Sequence, residues 1–172
     1  HLTKTFCRHF ACIFAWDAWD SLGMLHSVVI LSRSGKVLLA RYFSIPVEEQ
    51  DEWKRSMVEC VDGGLETLRE DEEHIAILGG KYVFYVAAGD TVLFFCGTEE
   101  YDELMLSEIG ISFVLAVKYV TKKEKGNISE SLIIENLPKV HLIIDEMINM
   151  GTLEQIDRTA IKRMMKMKPA AD

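Results

Sequence analysis

Three short runs rich in β-branched and aromatic residues occupy the middle of the chain: HIAIL at 74–78, YVFYV at 82–86 and VLFFC at 92–96. They are parted only by Gly79-Gly80 and by Gly89-Asp90. Connections this tight join antiparallel neighbours, since a parallel pair needs a crossover of about a dozen residues. The centre of the molecule is therefore a β-meander, and the remaining elements must pack on it. Upstream, residues 25–31 and 37–43 flank Ser32-Arg33-Ser34-Gly35 and read as a hairpin, with Gly35 free to take positive φ.

The rest of the pattern is helical. Pro46 sits where a first helical residue is tolerated, and Glu48, Glu49, Asp51 and Glu52 suit the positive end of a helix dipole. Trp53, Met57, Cys60 and Val61 then form one apolar stripe. Gly63-Gly64 interrupts it, and the acidic stretch 65–73 is expected to continue as a ragged end. Residues 102–119 spread Leu104, Leu106, Ile109, Phe113, Leu115 and Val117 around most of a helix, which must be buried on several sides. A solvated loop at 122–126 follows. Residues 128–137 read as a short helix stopped by Pro138, 140–150 as another ending at Gly151, and 153–167 as a basic last helix. From Met24 the order is ββαβββααα. One five-stranded antiparallel sheet flanked by helices, an α+β sandwich, is the economical solution.

Composition narrows the function. At 172 residues and 49% hydrophobic, the chain can bury a core and form one domain. No stretch approaches the roughly 18 consecutive apolar residues of a membrane span. A net charge of −8 argues against nucleic acid as a partner, because a phosphate backbone demands clustered Lys and Arg. Cys7, Cys12, Cys60 and Cys96 form no CxxC pair and no zinc-ligand spacing, so they read as reduced thiols of a cytoplasmic protein. Residues 1–23 stand apart. They hold two of the three tryptophans, and are read as a leader or non-native extension ahead of a natural start at Met24. The alternative is a genuine extension that docks Phe14, Trp16 or Trp19. Residues 24–168 are read as the domain and 169–172 as a tail.

A search for chemistry finds little. Dinucleotide, phosphate-loop, zinc-protease and serine-nucleophile motifs are all missing. His141 and Asp145 could share a helix face, but a catalytic pair would need a nucleophile or a metal beside it. Asp145 and Glu146 point about 100° apart on a helix and make a poor acid–base dyad. No catalytic, cofactor or metal residues are expected. The local charge anomaly is C-terminal, where Arg158, Lys162 and Lys166 line one helical face and Ile161, Met164 and Met165 another. Such a face is either simply solvated or meets an acidic partner or anionic lipid. Five of the eight methionines (Met147, Met150, Met164, Met165 and Met167) gather in this region. Flexible thioethers of this kind first of all fill irregular cores; with a mean hydropathy of +0.09, high for a chain without a span, the alternative is apolar surface that another subunit covers.

Four blocks carry a family resemblance: SVVILSRSGKVLLARYF (27–43), KYVFYVAAGDTVLFFCG (81–97), EYDELML (100–106) and NISESLIIENLPKVHLIIDEMINMGTLEQID (127–157). Together they resemble the small subunits of heterotetrameric vesicle-coat adaptors, the sigma chains of clathrin adaptors and the zeta chain of coatomer. The third block is closer to zeta chains. The last, a Glu-Asn, Asp-Glu-Met, Gly, Glu signature without a gap, is the most specific. The resemblance implies a longin-like fold and a non-enzymatic role. It implies a small subunit clasped by a large adaptin-like subunit, with a medium subunit in the same complex, in a coat at the cytosolic face of membranes.

The resemblance also maps a cargo pocket onto Thr91, Val114, Asn127, Ile128 and Ile133. Sigma chains carry adjacent arginines after a strand tyrosine near the site for acidic dileucine signals. Here Tyr85 is followed by Val86-Ala87-Ala88. The missing cation removes a charge-assisted contact, so strong dileucine binding is not expected. Fitting neither sigma nor zeta cleanly, the chain is similar to what a small subunit of the TSET coat (TPLATE in plants) would be, with a role in endocytosis. Zeta-coatomer, sigma-adaptin or another longin-type trafficking regulator are the alternatives.

Overall fold

A computed structural model describes residues 3–6, 24–98, 101–121 and 127–166. The strands are β1 (Thr3–Phe6), β2 (Leu25–Ser32), β3 (Val37–Tyr42), β4 (Glu73–Leu78), β5 (Lys81–Ala88) and β6 (Thr91–Gly97). They form one sheet in the order β1-β4-β5-β6-β2-β3. The five strands from β2 to β6 are antiparallel throughout; the tight turns dictate this for β2–β3, β4–β5 and β5–β6, while β2 and β6 pair across a long separation in sequence. β1 is an addition: a short strand ahead of Met24 that pairs with β4 in parallel.

The helices are α1 (Gln50–Glu59), α2 (Glu103–Val120), α3 (Glu130–Glu135), α4 (Leu137–Met147) and α5 (Arg158–Lys166). Each sheet face has its own core. On one face Val28, Ile30, Phe84, Leu93 and Phe95 meet Ile109, Phe113 and Val117 of α2 and Val140, Ile143 and Met147 of α4. On the other face Val29, Leu31, Val83, Tyr85 and Phe94 meet Trp53 and Met57 of α1, with Leu65 and Leu68 beyond it. The central strands are covered on both sides, and so every residue of β2 and β6 is buried. α2 approaches the sheet closely because Gly110 faces Phe84, where a Cβ would stand 2.2 Å from the ring.

Several boundaries differ from expectation. α1 stops at Glu59, and beyond Gly63 and Gly64, both at positive φ, residues 65–67 make a single 3-10 turn instead of a ragged helix. Pro138 does not end a helix; it lies in the first turn of α4, where a missing N–H costs nothing. α4 ends at Met147. Met150 (φ 51) and Gly151 (φ 85) then form a tight turn between β7 (Ile148–Asn149) and β8 (Thr152–Leu153). Two successive positive φ values suit a two-residue hairpin. Leu153 is therefore held in a strand, its amide donating to the Tyr101 hydroxyl at 2.8 Å, and α5 begins only at Arg158.

Candidate functional site

The residues assigned to the cargo pocket lie at one end of the sheet, on the face covered by α2. Thr91 opens β6, where its hydroxyl donates to the Ala88 carbonyl at 2.9 Å and closes the β5–β6 turn. That turn presses on the start of the α3 segment: the Asp90 amide donates to the Ile128 carbonyl at 2.9 Å. Gly89, at φ +61, comes so close that a Cβ there would stand 2.1 Å from the same oxygen. Val114, Ile128 and Ile133 join the α2-side core, and with Thr91 they are all buried. Ser129 starts α3 by accepting from the Leu132 amide, which directs Ile133 inward. Asn127 alone of the five is exposed, and its side-chain amide donates to Glu70 Oε2 at 3.0 Å.

The electrostatics around this cluster come from residues the sequence reading did not single out. Glu70 brings a carboxylate to Asn127, and Asp71 beside it pairs with Lys118 at 3.3 Å. Arg33, in the β2–β3 turn, brings a cation to the Gly89 backbone. Its guanidinium donates to the carbonyls of Gly89 (2.8 Å), Leu68 (2.7 Å) and Leu65 (3.3 Å). Three carbonyls use donors that could otherwise meet an acidic ligand, and they tie three loops together. Nothing in the sequence marks this role, because backbone carbonyls have no residue signature.

The basic face is placed on α5. Arg158 begins the helix, Lys162 and Lys166 follow at successive turns, and both lysines are exposed. Lys162 stands over the Tyr119 ring, 5.0 Å from its centroid, a cation–π contact that fixes α5 against α2. Its neighbour Ile161 is buried and joins the α2-side core. His141 and Asp145 both lie on α4, but Asp145 accepts from Arg41 at 2.6 Å. Among the described residues, no group of three or more His, Cys, Asp or Glu side chains could hold a metal ion, and no helix is long and apolar enough to cross a membrane. Large apolar side chains nevertheless remain on the surface: Leu104 is 72% exposed, Met150 82%, and Ile134 and Leu142 about half.

Comparison with known proteins bears on this arrangement. The family model of the clathrin adaptor complex small chain matches residues 24–171. The TSET complex member tstD of Dictyostelium discoideum is 30% identical over 146 residues, covering 84% of this chain and 94% of that protein. Coatomer subunit zeta-2 of Mus musculus is 28% identical over 140 residues, 80% of this chain and 63% of the relative. AP-1 complex subunit sigma-3 of Mus musculus is also 28% identical, over 145 residues, 81% of this chain and 86% of the relative. In structure, a chain from a homology model of the full-length AP-3 complex in a stretched open conformation aligns with a TM-score of 0.56 at 13% identity, covering 83% of this chain and 91% of that one. That likeness agrees with the longin-like α+β fold. On the family match and the tstD identity together, the chain belongs to the clathrin adaptor complex small chain family.

Proposed function

We propose that this chain is the non-catalytic small subunit of a heterotetrameric vesicle coat of the TSET type, clasped by a large adaptin-like subunit, with a medium subunit in the same assembly. The reading places it at the cytosolic face of a membrane, in endocytosis. The observation that carries it is the similarity to a TSET complex member along nearly the whole of that relative. The apolar side chains left on the surface support it, because a subunit interface buries groups of that kind. Residues 24–168 form the adaptor domain in this reading, and no reaction or cofactor is assigned to it. Membrane contact runs mainly through the other subunits. The basic face of α5 adds an accessory attraction of about 1 kcal/mol per basic residue near anionic headgroups.

Within that role, the cluster of Thr91, Val114, Ile128 and Ile133 acts as a closed seam between the β5–β6 turn and α3. It is not a receptor for acidic dileucine signals. Burial of its apolar side chains and the carboxylate of Glu70 at its exposed end support this reading.

The test is affinity purification of the tagged full chain with mass spectrometry of what accompanies it. One large adaptin-like chain and one medium chain of a TSET-type complex are expected, in near-equal amounts with the bait. Recovery of the coatomer subunits instead would replace this reading by the zeta one, which the likeness to coatomer zeta-2 favours as the second choice. A well-behaved monomer that brings down no such chains would overturn both.

A further inference from the structure

The two edges of the sheet are finished differently. At one edge, β3 carries Arg41, ion-paired with Asp145, and the turn before it carries Lys36, ion-paired with Glu130. Edge cations of this kind discourage stray strand pairing. At the other edge, β4 runs His74-Ile75-Ala76-Ile77-Leu78 with no Lys, Arg or Pro, and Ile77 is partly exposed. A β-prone, uncharged run at an open edge recruits other strands.

The chain fills this edge with itself. Thr3, Lys4, Thr5 and Phe6 lie opposite His74, Ile75, Ala76 and Ile77 in parallel register. The route is easy. β1 runs antiparallel to β2, so the end of β1 and the start of β2 lie at the same end of the sheet, four strand spacings or about 19 Å apart. Residues 7–23 could span roughly three times that distance if extended. The exchange also improves the edge, because a six-residue strand whose last five residues carry no Lys, Arg or Pro gives way to a four-residue one that contains Lys4.

We propose that β1 is an intramolecular cover for the strand-accepting edge of β4, and that its loss lets a second copy of the chain pair there. The inference goes beyond membership of a coat: it gives the N-terminal segment a task, keeping the small subunit from self-association. The cover is short, parallel and bound on one side only, so it opens far more readily than β5 separates from β6.

Hydrogen exchange and light scattering on the full chain test this, using the single variants Lys4→Pro and Thr5→Pro and the double variant. Adjacent strand residues turn their amides to opposite sides, so one single variant removes a donor facing β4 and the other a donor facing solvent. Exchange at residues 74–77 should rise at least tenfold in one single variant and in the double variant, and stay unchanged in the other single variant. The double variant should form concentration-dependent dimers or larger species. Removal of residues 1–6 provides a second variant with the same expected result. Unchanged exchange at residues 74–77 would overturn the cover, as would lost protection with no growth in size. A full chain that is already dimeric, with protection that falls on dilution, would show the strand donated between copies and would overturn the intramolecular arrangement.

Discussion

Gly89 is the residue on which most of the local geometry turns. Its φ of +61 lies in the left-handed region, its carbonyl accepts from Arg33 Nε, and the Ile128 backbone occupies the space a side chain would need. Gly89→Ala combines a left-handed alanine with a steric clash against backbone, each costing about 1–3 kcal/mol. A loss of about 3 kcal/mol is expected, which for a chain of this size lowers Tm by roughly 6–12 °C. Thermal unfolding followed by circular dichroism measures it, and a variant melting within a degree of the parent would show that the turn is not seated on α3. In the sequence, Gly89-Asp90 was legible as a turn, because glycine next to aspartate between two apolar runs has few other uses. Its contact with Ile128 was not legible, since a backbone-to-backbone approach between segments far apart in sequence leaves no pattern.

Among the elements, α5 offers a pH-dependent test. Asp157 caps it, accepting from the amides of Thr159 (2.6 Å) and Ala160 (3.1 Å). The backbone bonds from Ala160 and Thr159 hold its carboxyl below the usual aspartate range. With the folded value below the unfolded one, near 3.9, the cap contributes fully above that pH and is lost as acid titrates the folded carboxyl. The amide shifts of Thr159 and Ala160 should be flat from pH 7 to about 5 and move together below about 4. Asp157→Ala should remove that titration and fray the first turn even at neutral pH; a titration that survives the substitution would assign it to another group. The strands and α2 were legible because glycine turns and apolar spacing act locally. The ends of α1 and α4 and the start of α5 were not, because they depend on turns at positive φ, at Gly63-Gly64 and at Met150-Gly151, and a methionine there carries no sequence sign of such a turn. β1 was missed for a different reason: four residues with no alternating pattern become a strand only when an edge is there to receive them.

At the scale of the whole molecule, charge distribution decides what can approach the candidate cargo cluster. The net charge is −8, Glu70 lies beside Asn127, Lys118 is paired with Asp71, and Arg33 donates to carbonyls. A peptide bearing an acidic residue ahead of two leucines gains no charge-assisted bond here, a contact worth about 1.5–3 kcal/mol where one exists. Replacing that acidic residue by alanine should therefore leave the peptide's affinity for the assembled complex unchanged, as read by fluorescence anisotropy. Tight binding that weakens with salt and with the alanine change would contradict the closed seam. The cluster's membership came from the family resemblance, and its electrostatics came only from the folded chain. The start of β2 is fastened from two sides. The Leu25 amide donates to the Gly151 carbonyl at 2.8 Å and the Thr98 amide to the Met24 carbonyl at 3.2 Å, so the first residues of β2 are clamped by two distant loops. Whatever is joined ahead of Met24, a longer arm, a reporter or nothing, meets a fixed anchor, so alterations upstream change what lies along β4 without sliding the five strands out of alignment.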